Sequence, residues 1–400
     1  MRHIQPRLTT ETLAALLILS AWQSPNLQAQ VPLTNVVDVA AGDAHACALK
    51  ADGDVVCWGN NDFGQLGNGT TTSSPIGVPV TDLSDVSAID AGSGHTCALT
   101  HAGSVFCWGE NARGQLGDGT TTTRLTPAPV SGLGASASAL TAGGLHTCAI
   151  TGTGAAKCWG DNSDGQLGDG TTTQRWMPAA VFGLGSNVGD ISAGASHTCA
   201  VRTSNGRTFC WGLNNDGQLG DGTTINRLTP TDVFAPTVVA SVHAGYRHSC
   251  LVSEGGIAAC WGNNQYGELG DGTEEDRLTP SIVHGVSSGA QSLALSDLST
   301  CMRWDSGALS CWGLNDEGQL GDGTSTFYRP YPGGVQIGTT DALDSGAYFS
   351  CAVTAGDHRV MCWGSNDYGQ LGDGTTEDRF LPVPALQVSP PLAVFINGFE

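Results

Sequence analysis

The stretch CWGNNDFGQLGNGTTT, residues 57–72, decides the fold because close copies of it occur six more times in the chain. A tryptophan follows a cysteine in each copy, and the interval between these tryptophans is 50 to 52 residues. The stretch is rich in glycine, asparagine and threonine and has no long apolar run, which is typical of a loop that follows a short strand. The seven tryptophans are Trp58, Trp108, Trp159, Trp211, Trp261, Trp312 and Trp363.

Each copy contains four short apolar segments separated by turn residues. In the second copy they are VSAIDAG (86–92), HTCAL (95–99), VFCWG (105–109) and TPAPV (126–130). Segments of this length, rich in valine, isoleucine, cysteine and tryptophan and bounded by Gly, Asp, Asn or Pro, indicate β-strands. Four strands in a unit of about 50 residues are the pattern of a β-propeller blade. We therefore expect an all-β fold, a seven-bladed β-propeller with four antiparallel strands per blade.

The copies set the expected domain boundaries. We expect each blade to be contiguous in sequence, with the ring closed by packing of blade 7 on blade 1 and not by a shared sheet, although an offset between repeat and blade is an open alternative. The expected segments are a signal peptide at 1–29, a propeller at 30–388 with blades at about 34–82, 83–133, 134–185, 186–237, 238–286, 287–337 and 338–388, and a tail at 389–400.

The first 29 residues have the order of a secretory signal. Arg2 and Arg7 precede an apolar segment at 13–22, and Leu-Gln-Ala at 27–29 is a small-residue cleavage site. The apolar run is too short to span a bilayer; the alternative is a short N-terminal helix. Beyond residue 29 there are 14 Lys and Arg against 36 Asp and Glu, a net charge of −22. This charge excludes nucleic acid and anionic lipid as partners and favours basic partners or metal ions. We expect a secreted, periplasmic or cell-surface protein.

The fourteen cysteines occur two per copy, ten or eleven residues apart. Folding strands 2 and 3 of the first copy into a hairpin around residues 51–53 places Cys47 opposite Cys57, at a separation that suits a disulfide. Where the spacing is eleven, the extra residue fits in the turn. We expect seven disulfides within the blades: Cys47–Cys57, Cys97–Cys107, Cys148–Cys158, Cys199–Cys210, Cys250–Cys260, Cys301–Cys311 and Cys351–Cys362.

Five histidines precede these cysteines in a His-x-Cys pattern, beginning with His45 and Cys47. The alternative to a disulfide is therefore a zinc site. Zinc usually draws ligands from two converging elements, whereas each histidine here lies beside a cysteine with a better partner. We expect hydrogen-bonded structural histidines, no metal and no cofactor.

An aspartate and an arginine bracket the threonine-rich loop in six copies, six residues apart in five of them and seven apart in copy six. The first copy has Asn68 and Ser74, so both charges are lost together. We expect structural ion pairs; the alternative is that both groups are independently solvated. A calcium loop is a poor match, since the acidic spacing fails in NNDGQLGDGT (214–223). The expected pairs are Asp118–Arg124, Asp169–Arg175, Asp221–Arg227, Asp271–Arg277, Asp322–Arg329 and Asp373–Arg379.

The loops that join strands 1 to 2 and 3 to 4 emerge on one face, where the copies differ most from each other. A repeated scaffold with varied loops is how a rigid ring presents a specific binding surface, and aromatic residues and arginine anchor interfaces. No nucleophile elbow, zinc-protease motif, phosphate loop or dinucleotide fingerprint occurs, so we expect no enzyme activity. The candidate binding residues are Phe63, Arg113, Tyr246, Arg247, Tyr266, Tyr348 and Tyr368.

CWGNNDFGQLGNG, together with AGDAHACAL (41–49), resembles the regulator of chromosome condensation repeat, in an exported bacterial form. The resemblance covers about residues 34–388 and implies a seven-bladed propeller. Copy six departs most, with LSDLSTCMRW at 295–304.

Two members of this family suggest functions. The eukaryotic namesake is an exchange factor for the GTPase Ran that acts through an inserted hairpin, for which intervals of at most 52 residues leave little room here. A secreted β-lactamase inhibitory protein of similar build binds its target through loops on one face. The resemblance thus favours a secreted, monomeric, non-catalytic protein-binding propeller, with carbohydrate or envelope-polymer binding as the alternative and nucleotide exchange as a weaker one.

Overall fold

A computed structural model describes residues 29–134, 136–235 and 237–389, and within these ranges the chain is all β-strand and turn. The expected signal peptide, apart from residue 29, and nearly all of the expected tail lie outside the described residues. No helix in the described ranges is long and apolar enough to cross a membrane. The described residues divide into two units, residues 32–387 and the flanking residues 29–31 with 388–389. In the smaller unit the Ser389 amide donates to the Ala29 carbonyl at 2.8 Å.

The larger unit is a seven-bladed β-propeller in which each blade is an antiparallel sheet of four consecutive strands. This confirms the fold expected from the repeat. In blade 1 the strands are β2 Val36–Ala41, β3 His45–Lys50, β4 Val55–Gly59 and β5 Ser74–Pro79. In blade 2 they are β6 Val86–Ala91, β7 His95–Thr100, β8 Val105–Gly109 and β9 Arg124–Pro129. In blade 3 they are β10 Ala137–Ala142, β11 His146–Thr151, β12 Ala156–Gly160 and β13 Arg175–Ala180.

The remaining blades repeat this order. Blade 4 contains β14 Val188–Ala193, β15 His197–Arg202, β16 Thr208–Gly212 and β17 Arg227–Asp232. Blade 5 contains β18 Val239–Ala244, β19 His248–Ser253, β20 Ala258–Gly262 and β21 Arg277–Ile282. Blade 6 contains β22 Ala290–Leu295, β23 Ser299–Trp304, β24 Leu309–Leu314 and β25 Tyr328–Gly334. Blade 7 contains β26 Thr340–Ser345, β27 Phe349–Thr354, β28 Val360–Gly364 and β29 Arg379–Pro384. Two short strands flank the blades, β1 Gln30–Pro32 and β30 Leu386–Val388.

The central hairpin of each blade has the register expected from the cysteines. In blade 1, Leu49 lies opposite Val55 and Cys47 lies opposite Cys57. All seven cysteine pairs form disulfides within their own blades, with Cα atoms 4.0 to 4.1 Å apart. Each disulfide links the second and third strands of a blade. It therefore fixes the two strands from which the 1-to-2 and 3-to-4 loops emerge at one end of the propeller.

The hydrophobic core lies between blades rather than within one. In the cluster between blades 1 and 2, Leu49 and Leu66 of blade 1 pack against Ile89 and Trp108 of blade 2. The fully buried Trp108 Nε1 donates to the Gln65 carbonyl at 2.8 Å, and the same contact occurs at all seven boundaries, including Trp58 to Gln370. The tryptophan and the Gly-Gln-Leu-Gly segment of the repeat are therefore the two halves of the joint between neighbouring blades.

The structural histidines form a second joint. His45 Nε2 lies 2.9 Å from the Thr96 hydroxyl, which itself donates to the Gln65 carbonyl at 2.9 Å. The hydroxyl must therefore accept from the histidine, so Nε2 carries a proton. Burial, followed by the charge of His95, lowers the pKa of His45 to about 3. The same contact recurs at His95, His146, His197 and His248.

The ring closure differs from the sequence expectation. We expected packing of blade 7 on blade 1 without a shared sheet. Instead β30, which follows the last strand of blade 7, pairs in parallel with β5 of blade 1 through Gln387 and Gly77. The Leu33 amide also donates to the Ala385 carbonyl at 2.8 Å. Residues 386–388, expected within blade 7, thus extend the outer edge of the blade 1 sheet. Packing contributes as well, because blade 1 and blade 7 share one hydrophobic cluster.

Candidate binding face at one end of the propeller

The loops joining strands 1 to 2 and strands 3 to 4 lie at one end of the ring, which we call the loop face. A buried asparagine in each 3-to-4 loop fixes its shape. In blade 4, Asn214 Oδ1 accepts from the Leu219 amide at 2.9 Å, while Nδ2 donates to the carbonyls of Thr223 and Ile225 at 3.0 and 3.1 Å. The equivalent residues, all fully buried, are Asn61, Asn111, Asn162, Asn264, Asn315 and Asn366. The loop face is therefore built on a preformed backbone.

The aspartate and arginine that bracket the threonine-rich loop are in contact in each of the six copies that have both. Arg227 Nη2 lies 2.6 Å from Asp221 Oδ2, and Asp221 Oδ1 accepts from the Thr223 amide and hydroxyl. Burial raises the pKa of Asp221, but the hydrogen bonds from Thr223 and Arg227 outweigh it and lower the pKa overall. The other contacts, 2.6 to 2.9 Å, join Arg124 to Asp118, Arg175 to Asp169, Arg277 to Asp271, Arg329 to Asp322 and Arg379 to Asp373.

In the first copy the turn forms without an ion pair. Asn68 Oδ1 accepts from the Thr70 amide at 3.1 Å and from its hydroxyl at 2.8 Å, as the aspartates do elsewhere. The Ser74 hydroxyl donates to the Ile76 carbonyl at 2.7 Å. The Asx-turn therefore needs the side-chain oxygen of residue 68 but not the charge.

Tyr246 crosses the mouth of the central channel. It belongs to blade 5, yet its hydroxyl donates to Asp43 Oδ1 in blade 1 and lies 3.4 Å from Ser93 Oγ in blade 2. Burial and the Asp43 carboxylate raise the pKa of Tyr246. The cavity of about 150 Å³ in this part of the channel is lined by the inner strands of the blades. Tyr246, one of the candidate binding residues, thus connects blade 5 to blades 1 and 2 across the channel.

Two other candidate residues on the loop face also have internal partners. Arg247 forms a two-pronged contact with Asp216 at 2.7 and 3.0 Å. The Tyr348 hydroxyl donates to Asp297 Oδ2 at 3.0 Å, and burial raises the pKa of Tyr348 to about 12. Arg247 and Tyr348 remain partly exposed, so they present oriented rather than mobile side chains.

The remaining candidates are exposed or half-exposed. Phe63 and Tyr368 have 44% and 51% of their surface in solvent. The Arg113 side chain is half exposed and lies 4.0 Å from Asp161. Blades 7, 1 and 2 are consecutive, so Tyr368, Phe63 and Arg113 occupy neighbouring loops of the same face.

Sequence reasoning missed one aromatic on the loop face. Phe327 of blade 6 is 55% exposed, and its ring meets Tyr266 of blade 5 edge-on with centroids 5.9 Å apart. The available signal was the phenylalanine twelve residues after Asn315, at a position where blades 4, 5 and 7 have the polar residues Asn226, Asp276 and Asp378.

Asp90 and Asp344 line the channel, and Asp38 and Asp190 lie on the innermost strands of blades 1 and 4. Burial raises the pKa of Asp38 and Asp90 to about 6, and burial together with the charge of Asp90 raises that of Asp344 well above its usual range. Asp344 Oδ2 accepts from the Ala41 amide at 2.8 Å and Asp90 Oδ2 from the Ala142 amide at 2.9 Å, so both tie neighbouring blades together. No group of three or more His, Cys, Asp or Glu in the described ranges is arranged to hold a metal ion.

The charge of the loop face is strongly negative. Apart from the six aspartates paired with strand-4 arginines, its loops hold sixteen carboxylates and only two basic residues, Arg113 and Arg247. The loops at the opposite end hold seven carboxylates with Arg207 and Arg359. The sixteen are Asp43, Asp62, Glu110, Asp161, Asp164, Asp216, Glu268, Glu274, Glu275, Asp276, Asp297, Asp316, Glu317, Asp367, Glu377 and Asp378.

Comparison with known proteins agrees with this architecture. The model of the RCC1-like domain matches residues 15–342, and models of the regulator of chromosome condensation (RCC1) repeat match 341–370 and 357–392. The chain belongs to the RCC1-like propeller family. It is 33% identical to the ultraviolet-B receptor UVR8 of Arabidopsis thaliana over 373 residues, 89% of this chain and 83% of that protein.

Solved structures of RCC1-like proteins have the same fold. Prp20p of Saccharomyces cerevisiae superposes with a TM-score of 0.75 at 20% identity, covering 86% of this chain and 88% of its own. Human WBSCR16 gives 0.72 at 22% identity, covering 85% and 94%.

Proposed function

We propose that this protein is a secreted, non-catalytic propeller that binds a basic protein partner through its loop face. The observation that carries the proposal is the charge of that face, where fifteen carboxylates, the buried Glu268 set aside, have no strand-4 arginine and stand against two arginines. Loops with this excess of negative charge attract a positively charged protein surface and accelerate its association with the propeller. Phe63 and Tyr368, exposed on the same face, supply the apolar anchors that charge alone does not.

The disulfides support export. All fourteen cysteines are paired, and disulfides of this number persist in oxidising compartments. For Prp20p, a protein of the same fold, binding to Gsp1p and to histones is described. A propeller of this fold thus binds proteins in Prp20p. We infer the kind of partner that this chain binds from the charge of its own loop face.

The test is capture by the immobilised exported chain from extracellular and envelope extracts of its source, at low and high salt. A loop-face variant with Glu110→Gln, Glu317→Gln and Asp367→Asn removes three charges. The matched control, Asp54→Asn, Glu254→Gln and Asp305→Asn, removes three from the opposite end. We expect a basic protein to be retained at low salt and lost with the first variant only. Equal loss with both variants, or retention of an acidic protein by both, would contradict the proposal.

Carbohydrate or envelope-polymer binding is the second candidate. The exposed rings of Phe63 and Tyr368 and the half-buried ring of Tyr266 favour it, since aromatic faces stack on sugars as well as on protein side chains. It predicts retention on a neutral polysaccharide that salt does not weaken and that is lost in the double variant Tyr266→Ala and Tyr368→Ala.

A further inference from the structure

The 3-to-4 loop of blade 6 differs from those of blades 1, 4, 5 and 7 in one backbone hydrogen bond. In those four blades the amide of the buried asparagine donates to a side chain twelve residues later, such as Asp276 Oδ1 for Asn264 at 2.8 Å. In blade 6 the Asn315 amide donates instead to the Phe327 carbonyl, also at 2.8 Å. The Phe327 carbonyl thus accepts the hydrogen bond that a side chain accepts in those four blades. The Phe327 side chain is therefore free to project from the propeller.

The projecting ring is part of an ordered cluster that spans two blades. Phe327 contacts Tyr266 of blade 5 at 5.9 Å and Tyr328 at 6.3 Å, both edge-on. The Tyr328 hydroxyl donates to Glu274 Oε1 of blade 5 at 2.6 Å. We call Tyr266, Phe327, Tyr328 and Glu274 the blade 5–6 patch. It is held by contacts across the blade boundary, yet more than half of Phe327 stays in solvent.

The charges around the patch are negative. Glu274, Glu275 and Asp276 are consecutive and exposed. The nearest arginine, Arg277, is already bonded to Asp271 at 2.9 Å and lies 3.6 Å from Glu275. Among the described residues no arginine or lysine forms a salt bridge with Glu274. An aromatic face beside such a carboxylate attracts a cation through the ring quadrupole and through simple charge.

We propose that the blade 5–6 patch receives an arginine or lysine side chain of the partner. The cation stacks on the exposed surface of Phe327 while the carboxylates of Glu274 and Glu275 neutralise it. Arginine fits better than lysine, because the planar guanidinium stacks on an aromatic ring and bonds a carboxylate at the same time. This inference rests on the proposed function and names the part of the face that anchors the basic partner.

The experiment titrates the full exported chain with fluorescent octa-arginine and octa-lysine peptides at 20 mM and 150 mM salt, with a citrulline peptide as the uncharged control. We expect octa-arginine to bind more tightly than octa-lysine, and binding to weaken with salt. Phe327→Ala should weaken octa-arginine roughly 3- to 10-fold. Phe327→Leu, which keeps apolar bulk without a π face, should weaken it as much. Glu274→Gln should cause a similar loss.

The matched control is Phe182→Ala, which removes another exposed phenylalanine, between blades 3 and 4 at the opposite end of the propeller, and should leave binding unchanged. Full affinity in Phe327→Leu, or an equal loss in Phe182→Ala, would overturn the inference. If octa-arginine binds and the triple loop-face variant weakens it while Phe327→Ala does not, the patch is wrong and the proposed function stands. If no cationic peptide binds at 20 mM salt, both fail.

Discussion

Gly77 in the outer strand of blade 1 lies opposite Gln387 of β30. A Cβ atom at Gly77 would lie 2.6 Å from Val56 Cγ1 and 3.2 Å from the Leu386 carbonyl. The six other outer strands carry proline at this position, and proline blocks an exposed edge because it has no amide to donate. Blade 1 thus lacks this proline at the sheet edge with which β30 pairs. The six prolines are Pro127, Pro178, Pro230, Pro280, Pro332 and Pro382.

Substitution of Gly77 by proline should release β30 from blade 1. Proline removes the amide of residue 77 and adds side-chain atoms where Val56 and Leu386 approach. We expect loss of hydrogen-exchange protection at residues 386–388 and a cost of about 1–3 kcal/mol in unfolding free energy. The control, Pro127→Gly, opens another edge without a strand to release. Unchanged protection at 386–388 in Gly77→Pro would show that β30 is held by other contacts.

A buried acid in blade 5 should make stability depend on pH. The repeat has glutamine at this position elsewhere, and Gln65 Nε2 donates to Asn60 Oδ1 at 2.6 Å. In blade 5, Glu268 Oε2 accepts from the Tyr266 amide, but Glu268 Oε1 and Asn263 Oδ1 have no partner. A proton on Glu268 supplies the missing donor. Burial raises the pKa of Glu268 from 4.5 to about 7.

The direction in which stability changes with pH follows from the raised pKa of Glu268. Between pH 4.5 and 7 the unfolded chain loses the Glu268 proton while the folded chain keeps it, so stability falls as pH rises, by up to about 3 kcal/mol. Glu268→Gln should remove this part of the pH dependence, measured by urea unfolding from pH 4 to 8. Channel carboxylates such as Asp90 also titrate here, so the readout is the difference between variant and wild type. If the unfolding free energies of Glu268→Gln and wild type change in parallel with pH, Glu268 is not protonated in the folded chain.

The repeat was sufficient to predict the blades because each local element carries its own signal. The opposition of Cys47 and Cys57 follows from a hairpin of alternating side chains, and the structure confirms it. The contacts of the candidate binding face were harder to predict from the sequence, because they join residues that are far apart in the chain. Tyr246 and Asp43 are 203 residues apart, and no local pattern reveals that they meet across the channel. β30 has three residues, too few for a periodic pattern.

Copy six shows how two sequence departures share one physical cause. In blade 1 a Cβ on Gly42 would lie 2.4 Å from the ring of His45, so the ring requires glycine there. Blade 6 has Ser299 in place of histidine and is the copy with serine, Ser296, in place of glycine. The two hydroxyls lie 2.7 Å apart and bond to each other. The exchange of both residues replaces the histidine's hydrogen bond to the next blade with a buried hydrogen bond inside blade 6.

The buried asparagine of the 3-to-4 loop should not tolerate the isosteric acid. Asn162 Nδ2 donates to the Thr171 and Thr173 carbonyls, each at 3.0 Å, and lies 3.3 Å from Asp169 Oδ1. Asn162→Asp turns these donors into an acceptor that faces three oxygens. We expect a loss of about 3–5 kcal/mol at neutral pH, partly recovered on acidification, because a buried unpaired charge is costly. The control, Asp164→Asn, removes a half-buried charge from the same loop and keeps the oxygen that accepts from Asn226 Nδ2. A loss below 1 kcal/mol in chemical denaturation would contradict the role assigned to Asn162.

The first copy allows the ion pair to be built rather than broken. Asn68→Asp with Ser74→Arg installs in blade 1 the pair that the other six blades contain. Because the arginines are about one-third exposed while their aspartates are buried, we expect a coupling energy of only about 1 kcal/mol in a double-mutant cycle. The reverse cycle in blade 4, Asp221→Asn with Arg227→Ser, should lose a similar amount. Urea unfolding measures both. A coupling near zero in both blades would mean that these charges, although in contact, are effectively solvated independently.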